Sequence, residues 1–147
     1  MKKKVLNLAI IFTILISAMV MVTGCGKKEE EKIVYANIVI ENGEQTITTA
    51  TLNKDLLNTY EGLINSRAIK TVIEKKYGTV GNIQFEEIED TQIIKVIYIC
   101  DNRTDDECKI LLNDWIAEFS RRMKEIYDVK DIKIVDEPEI TTRIVDR

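Results

Sequence analysis

The chain has 147 residues, 25 acidic against 21 basic side chains, a net charge of −4 and no histidine. That balance argues against nucleic acid as a partner, because phosphates demand clustered Lys and Arg, and it removes the commonest general base and metal ligand. The length is that of one ordinary domain.

Lys2, Lys3 and Lys4 precede an apolar run from Val5 to Met21, and Val22-Thr23-Gly24-Cys25 follows. A basic end, an apolar middle, small residues and then cysteine is the order of a bacterial lipoprotein signal, and Val22 to Cys25 resembles the lipobox. The implied processing is acylation of the Cys25 sulfur and cleavage before it. Residues 1–24 then form a signal peptide, and the rest is lipid-anchored to the cell membrane on its extracytoplasmic face. A spanning helix wants about 20 apolar residues; this run is shorter and contains Asn7, Thr13 and Ser17. An uncleaved anchor or ordinary secretion is the competing reading. Residues 1–24 hold three lysines and no acid, so the processed chain carries 18 basic against 25 acidic residues.

Residues 25–32 (Cys-Gly-Lys-Lys-Glu-Glu-Glu-Lys) read as a charged tether, and the domain proper is expected over 33–138. Ile33 to Ile40 is β-branched and apolar, a strand. Asn42-Gly43 predicts a tight hairpin turn into a second strand from Thr46 to Leu52. Asn53 stands as the N-cap of a helix carrying Leu56, Leu57, Tyr60, Leu63 and Ile64 on one face. Asn65-Ser66 breaks it. Ser66 caps a second helix with Ile69, Val72, Ile73 and Tyr77 on one face, and Gly78 stops it. Ile83, Phe85 and Ile88 mark an edge strand. Gln92 to Cys100, apolar on both faces, marks a central one. Thr104-x-x-Glu107 is a capping box opening a long amphipathic helix with Cys108, Leu111, Leu112, Trp115, Ile116, Phe119, Met123 and Ile126 on its stripe. Lys109, Asp114, Glu118, Arg121 and Arg122 lie on its solvated face or margins. Val129 to Val135 is the last strand, ended before Pro138, and residues 139–147 read as a loose tail. The order β-β-α-α-β-β-α-β predicts an α+β fold: a mixed or antiparallel sheet of four to five strands with helices packed on it.

This order resembles the extracytoplasmic domain of the Wzz-type polysaccharide co-polymerases, the chain-length determinants that include adaptors of capsule tyrosine kinases. The matching stretches are Thr49-Ala50-Thr51-Leu52, then Tyr60, Leu63, Ile64, Ser66 and Arg67 at the helix break. Ile69, Val72, Ile73 and Gly78 follow. Asp90-Thr91-Gln92-Ile93-Ile94-Lys95-Val96 is similar to the family's "Asp-Thr-x-Ile-Ile-x-Ile". Leu112-Asn113 and Phe119 sit where the long helix has its own signature, and Val129, Ile132, Ile134, Val135, Asp136 and Glu137 match the strand before the second membrane span. The resemblance implies a non-catalytic role in surface polysaccharide assembly or chain-length control. It also implies self-association or association with a two-span co-polymerase. The chain departs from the family in carrying a lipoprotein signal for the first membrane helix and no counterpart of the second, so activation of a kinase in cis is not expected.

In an oxidising compartment thiols pair. Cys100 ends the central strand on its core face and Cys108 opens the long helix on its core face, so the two are expected as a disulfide, with two buried free thiols as the alternative. No cofactor or metal is expected. The acidic runs Glu86-Glu87-Glu89-Asp90 and Asp101-Asp105-Asp106-Glu107 read as a strand margin and a helix start rather than an acid pair or calcium site. Asn102-Arg103-Thr104 fits a glycosylation sequon. A lipoprotein binding a small solute, wall glycan or partner protein is the second reading. A hydrolase is the weakest, since no nucleophile–base pair can be nominated.

Overall fold

The computed structural model of the chain describes residues 28–42, 50–89, 91–100, 102–127 and 129–146. The backbone divides into a main unit, Glu30–Arg143, and a second made of the ends, Met1–Glu29 with Ile144–Arg147. Every side-chain contact given below belongs to the main unit.

The elements are β1 (Lys28–Asn42), α1 (Ala50–Ile64), α2 (Arg67–Tyr77), β2 (Ile83–Glu87), β3 (Ile93–Ile99), α3 (Asp105–Tyr127), β4 (Val129–Ile134) and β5 (Glu139–Asp146). The fold is α+β, with three helices and a five-stranded antiparallel sheet. The sheet order is β2-β3-β1-β4, and β5 also pairs with β1. In β1, Ile33 to Val39 register against Ile99 to Ile93 of β3, and Ile38 to Glu41 against Ile134 to Asp131 of β4. A bulge falls between Glu41 and Asn42. Alternate residues of a strand face opposite sides. One face of the sheet therefore presents Val34, Ala36 and Ile38 of β1, Ile94, Val96 and Tyr98 of β3, and Ile83 and Phe85 of β2, all in one buried cluster with the helices.

The long helix α3 supplies the centre of that cluster. Cys108, Leu111, Leu112, Trp115, Ile116, Phe119 and Met123 are buried at three- and four-residue spacings, the stripe of a helix lying on a sheet. Its N-terminus is a complete capping box. Glu107 Oε2 accepts from the Thr104 N–H and hydroxyl at 2.8 Å, and Glu107 N–H donates to Thr104 Oγ1 at 3.3 Å. Ile126, expected on the stripe, is 62 % exposed. A helix of this length spans about 34 Å against about 23 Å for β3, so the last turn of α3 runs past the strand it packs on. Val72 of α2, expected on a buried face, is also exposed, while Ile69 and Ile73 are buried.

Two contacts fix the helices to this frame. Trp115, wholly buried, donates from Nε1 to the Ile64 carbonyl at 2.8 Å, filling an acceptor that the end of α1 leaves open. Asn65, in the break between α1 and α2, accepts the Ile83 N–H on Oδ1 and donates from Nδ2 to the Ile83 and Glu61 carbonyls, all at 2.8–2.9 Å. Ser66 sits at the N-cap of α2 without a side-chain capping bond. Its carbonyl accepts from Ile69 and Lys70. Gly78 ends α2 with φ +77°, and its N–H bonds the Glu74 carbonyl at 2.9 Å, a backbone position that glycine takes at little cost.

Three expectations are corrected, and a fourth falls outside the described residues. Helix α1 begins at Ala50, so Asn53 lies inside it rather than at its N-cap, and residues 50–52 are helix, not strand. Residues 43–49, with Gly43 of the turn and the rest of the second strand, lie outside the described residues, so the strand expected between β1 and α1 is not among those seen. The tether loses residues 28–32, because β1 starts at Lys28. The tail over 139–147 is β5 through Asp146, so Pro138 interrupts the pairing along β1 instead of ending it. Proline has no N–H to give a ladder, and the ladder resumes one residue later.

Replacing Asn65 by Ala removes three hydrogen bonds and leaves both Ile83 backbone groups unpaired. We expect a loss of about 1–3 kcal/mol, read as a lower urea midpoint at unchanged m-value.

Candidate functional site

The residue nominated most firmly by the sequence, Cys25, lies outside the described residues, as do Asp90 and Asp101 of the acidic runs. Among the described residues no group of three or more His, Cys, Asp or Glu is arranged to hold a metal. Two of the remaining acids, Asp105 and Glu107, have structural partners. Asp105 Oδ1 accepts from Lys32 Nζ at 2.9 Å, and Glu107 closes the capping box, whose hydrogen bonds from Thr104 hold its carboxyl below its usual range.

Cys100 and Cys108 are joined as a disulfide with Cα atoms 6.1 Å apart, inside the usual span for such a bridge. The bridge belongs to a dense junction where β1, β3 and α3 meet. The Cys100 N–H donates to the Lys32 carbonyl at 2.8 Å. Lys32 Nζ reaches the Arg103 carbonyl as well as Asp105. Arg103 spreads its guanidinium over the Tyr77 and Thr79 carbonyls and the Tyr98 hydroxyl, at 3.0–3.1 Å. It thereby caps the C-terminal end of α2, where a cation is favoured by the exposed carbonyls. A cleft of about 600 Å³ beside it is lined by Gly81, Asn82, Tyr98 and Asn102. The left-handed φ of +57° at Asn102 turns the chain into the helix, a backbone region that Asn tolerates better than most residues.

A second polar cluster joins α2 to α3. Asp114 accepts from Lys76 Nζ and from the Tyr77 hydroxyl. The lysine contact chiefly, and the phenol next, hold the Asp114 carboxyl below its usual range. Burial, then the same carboxylate, pushes the Tyr77 phenol up. This constellation ties α2 to α3. On the sheet face away from the helices, Lys95 Nζ lies 4.3 Å from the centre of the Tyr35 ring, and the Tyr35 hydroxyl donates to Glu139. Asn37 Nδ2 donates to Asp136 at 3.1 Å. Arg143 of β5 donates to Glu31 of β1 and to Gln84 of β2. These bonds lace β5 to the sheet.

The two outer edges of the sheet differ in how they end. On β2 the outward N–H groups of Ile83 and Phe85 are taken by Asn65 Oδ1 and Glu61 Oε2 of the helical layer. Among the described residues no strand or helix covers the outer edge of β4 in this way. There the Ile132 N–H is held at 2.9 Å by the carboxylate of its own neighbour Asp131, which also takes Lys124 Nζ at 2.8 Å. Beside this edge a cleft of about 430 Å³ runs between α3 and β4, lined by Asn113, Ile116, Ala117, Ser120, Lys124 and Ile134. A second, of about 520 Å³, continues past Ile134 and Val135 toward Pro138. Ile134 and Val135 are 41 % and 48 % exposed. The sequence named these residues as strand but gave no sign that their edge would be the open one. That follows from which strands β1 pairs.

Compared with known proteins, the chain matches no family model, and no curated protein matches it.

Two outcomes are expected. Exchange of Cys100 and Cys108 for Ser opens a short loop and lowers stability by about 2.5 kcal/mol on the chain-entropy model; in the unfolded, unreduced wild type neither cysteine titrates as a thiol. Asp114 has its folded pKa depressed. Its contribution is therefore present at neutral pH, above the unfolded value, and is lost as pH falls through the folded value. An Asp114→Asn protein shows a shallower fall of melting temperature on acidification than the wild type.

Proposed function

We propose that this chain is a bacterial lipoprotein. Residues 1–24 direct export, Cys25 carries the lipid, and the α+β domain is held at the extracytoplasmic face of the cell membrane. There it acts by association, not by catalysis, in the assembly or chain-length control of a surface polysaccharide, alone or beside a two-span co-polymerase.

The observation that carries this reading is the Wzz-like order of residues from Thr49 to Glu137. Several of these residues occupy the joints of the fold. Ser66 and Arg67 stand at the α1–α2 break and Gly78 at the α2 stop. Thr91 sits in the β2–β3 connection, where its hydroxyl donates to the Ile88 carbonyl at 2.8 Å and accepts the Ile93 N–H at 3.1 Å. Residues that set turns and stops are a more telling likeness than apolar ones, which any α+β domain supplies. Burial of Trp115 in the core takes the chain's one tryptophan away from stacking on a glycan.

The test is the size distribution of surface polysaccharide in cells with and without the protein, and in cells making Cys25→Ser. A shift in chain length that disappears with the lipid site is the expected result. An unchanged distribution in all three sinks the reading and favours capture of a solute or partner.

A further inference from the structure

We propose that the open edge of β4 pairs with the β4 edge of a second copy of this chain, in an antiparallel two-fold contact centred on Ile132. This deepens the association reading above and rests on it for its biological setting, though the surface is argued from the strand itself.

The Val135 N–H donates to the Asn37 carbonyl on β1 at 2.7 Å. Backbone groups alternate direction along a strand, so those of Lys133 and Asp131 also face β1, and those of Ile134 and Ile132 face out; the bulge opposite Asn42 ends the alternation at Lys130. A two-fold axis normal to the sheet can pass only between a residue and its own copy, because a one-residue offset would bring opposite faces together. Centring on Lys133, Asp131 or Lys130 sets like charges opposite each other at the axis, which is unfavourable. Centring on Ile134 sets Ile132 opposite Asp136. Centring on Ile132 pairs Asp131 with the other copy's Lys133 twice, on the face away from the helices, and Ile132 with Ile132 on the helix face. This is the register in which the charges of Val129-Lys130-Asp131-Ile132-Lys133-Ile134 complement themselves.

The surroundings suit this contact. Ile132 lies on the outward row, and its N–H is already held by a local substitute, the Asp131 carboxylate. Pairing gives that N–H a carbonyl of the second copy, and Asp131 and the second copy's Lys133 then share with each other the charges they now give to Lys124 and Glu41. The opposite edge of the sheet is closed by Asn65 and Glu61, which limits growth to two copies and avoids an open fibre.

The test uses full-length chains in their membrane. In the proposed register Asp131 and the second copy's Lys133 form a non-hydrogen-bonded pair, with Cα atoms about 4.5 Å apart, within disulfide range. Chains carrying Asp131→Cys and Lys133→Cys, separately tagged and made together, should give a disulfide-linked heterodimer on oxidation. The yield should be several times that of either variant alone or of Glu86→Cys on the closed β2 edge. No such dimer, or an equal yield from the β2 control, overturns the proposal. As a second measurement, the mass of detergent-solubilised protein should be dimeric for wild type and monomeric for Lys133→Asp. Mixing Lys133→Asp with Asp131→Lys should restore a dimer. A monomeric wild type, or a dimer untouched by Lys133→Asp, also overturns it. Loss of self-pairing with polysaccharide size still regulated would defeat this inference alone; intact pairing with no polysaccharide effect would defeat the functional reading alone.

Discussion

Backbone pairing on both sides of β1 is the constraint on which the rest of the molecule depends. Its N–H and C=O groups alternate between neighbours: residues in register with β3 on one side share the strand with residues in register with β4 on the other. An interior strand of this kind has no freedom to slip, because a one-residue shift would turn Val34, Ala36 and Ile38 from the helices to the opposite face. With that register set, β3 must present Ile94, Val96 and Tyr98 to the same side. The α3 stripe from Cys108 to Met123 then has a matching surface to lie on. The aromatic contacts of this layer, Phe85 with Phe119 and Tyr98 with Trp115, have ring centres 6.1 and 5.9 Å apart. They join sheet to helix at two separate points.

The polar interactions have a different distribution. They gather at the ends of elements, where backbone groups lose their regular partners. Arg103 caps α2, Trp115 serves α1, Asn65 and Glu61 serve the β2 edge, and Lys32 ties β1 to the start of α3. The lowered carboxyls of Glu107 and Asp114 have their cause in such joints, the α3 cap and the α2–α3 contact. Among the described residues, the edge of β4 differs from that of β2 in having a carboxylate of its own strand, rather than the helical layer, on its outward N–H.

Strand β1 begins at Lys28, so residues 28–32 of the charged stretch that composition suggested as a tether are strand. The strand propensity of Lys-Glu-Glu-Glu-Lys is poor, but β1, which it begins, pairs with β5, whose Ile140, Thr141 and Thr142 suit a pleated surface. That β-branched run was a readable signal. Its place after the only proline, Pro138, made it look like a tail.

Much of the fold was legible in the residues because the relevant physics is local. The Thr104–Glu107 box, the glycine stop at Gly78, the break at Asn65-Ser66 and the spacing from Cys108 to Met123 each act within a few residues of chain, and each stands in the structure where the sequence puts it. The start of α1 was less legible: Asn53 is a good cap in isolation, but Ala50 and Leu52 are helix formers that carry the helix past it. What only the tertiary structure decided is long-range pairing: that β1 reaches back to Lys28 and β5 joins it across more than a hundred residues, that Asn65 closes one sheet edge, and that β4 ends the other. Those outcomes turn on which strand finds which neighbour. A chain fixes its side-chain alternation residue by residue, but its edges exist only once the sheet is assembled.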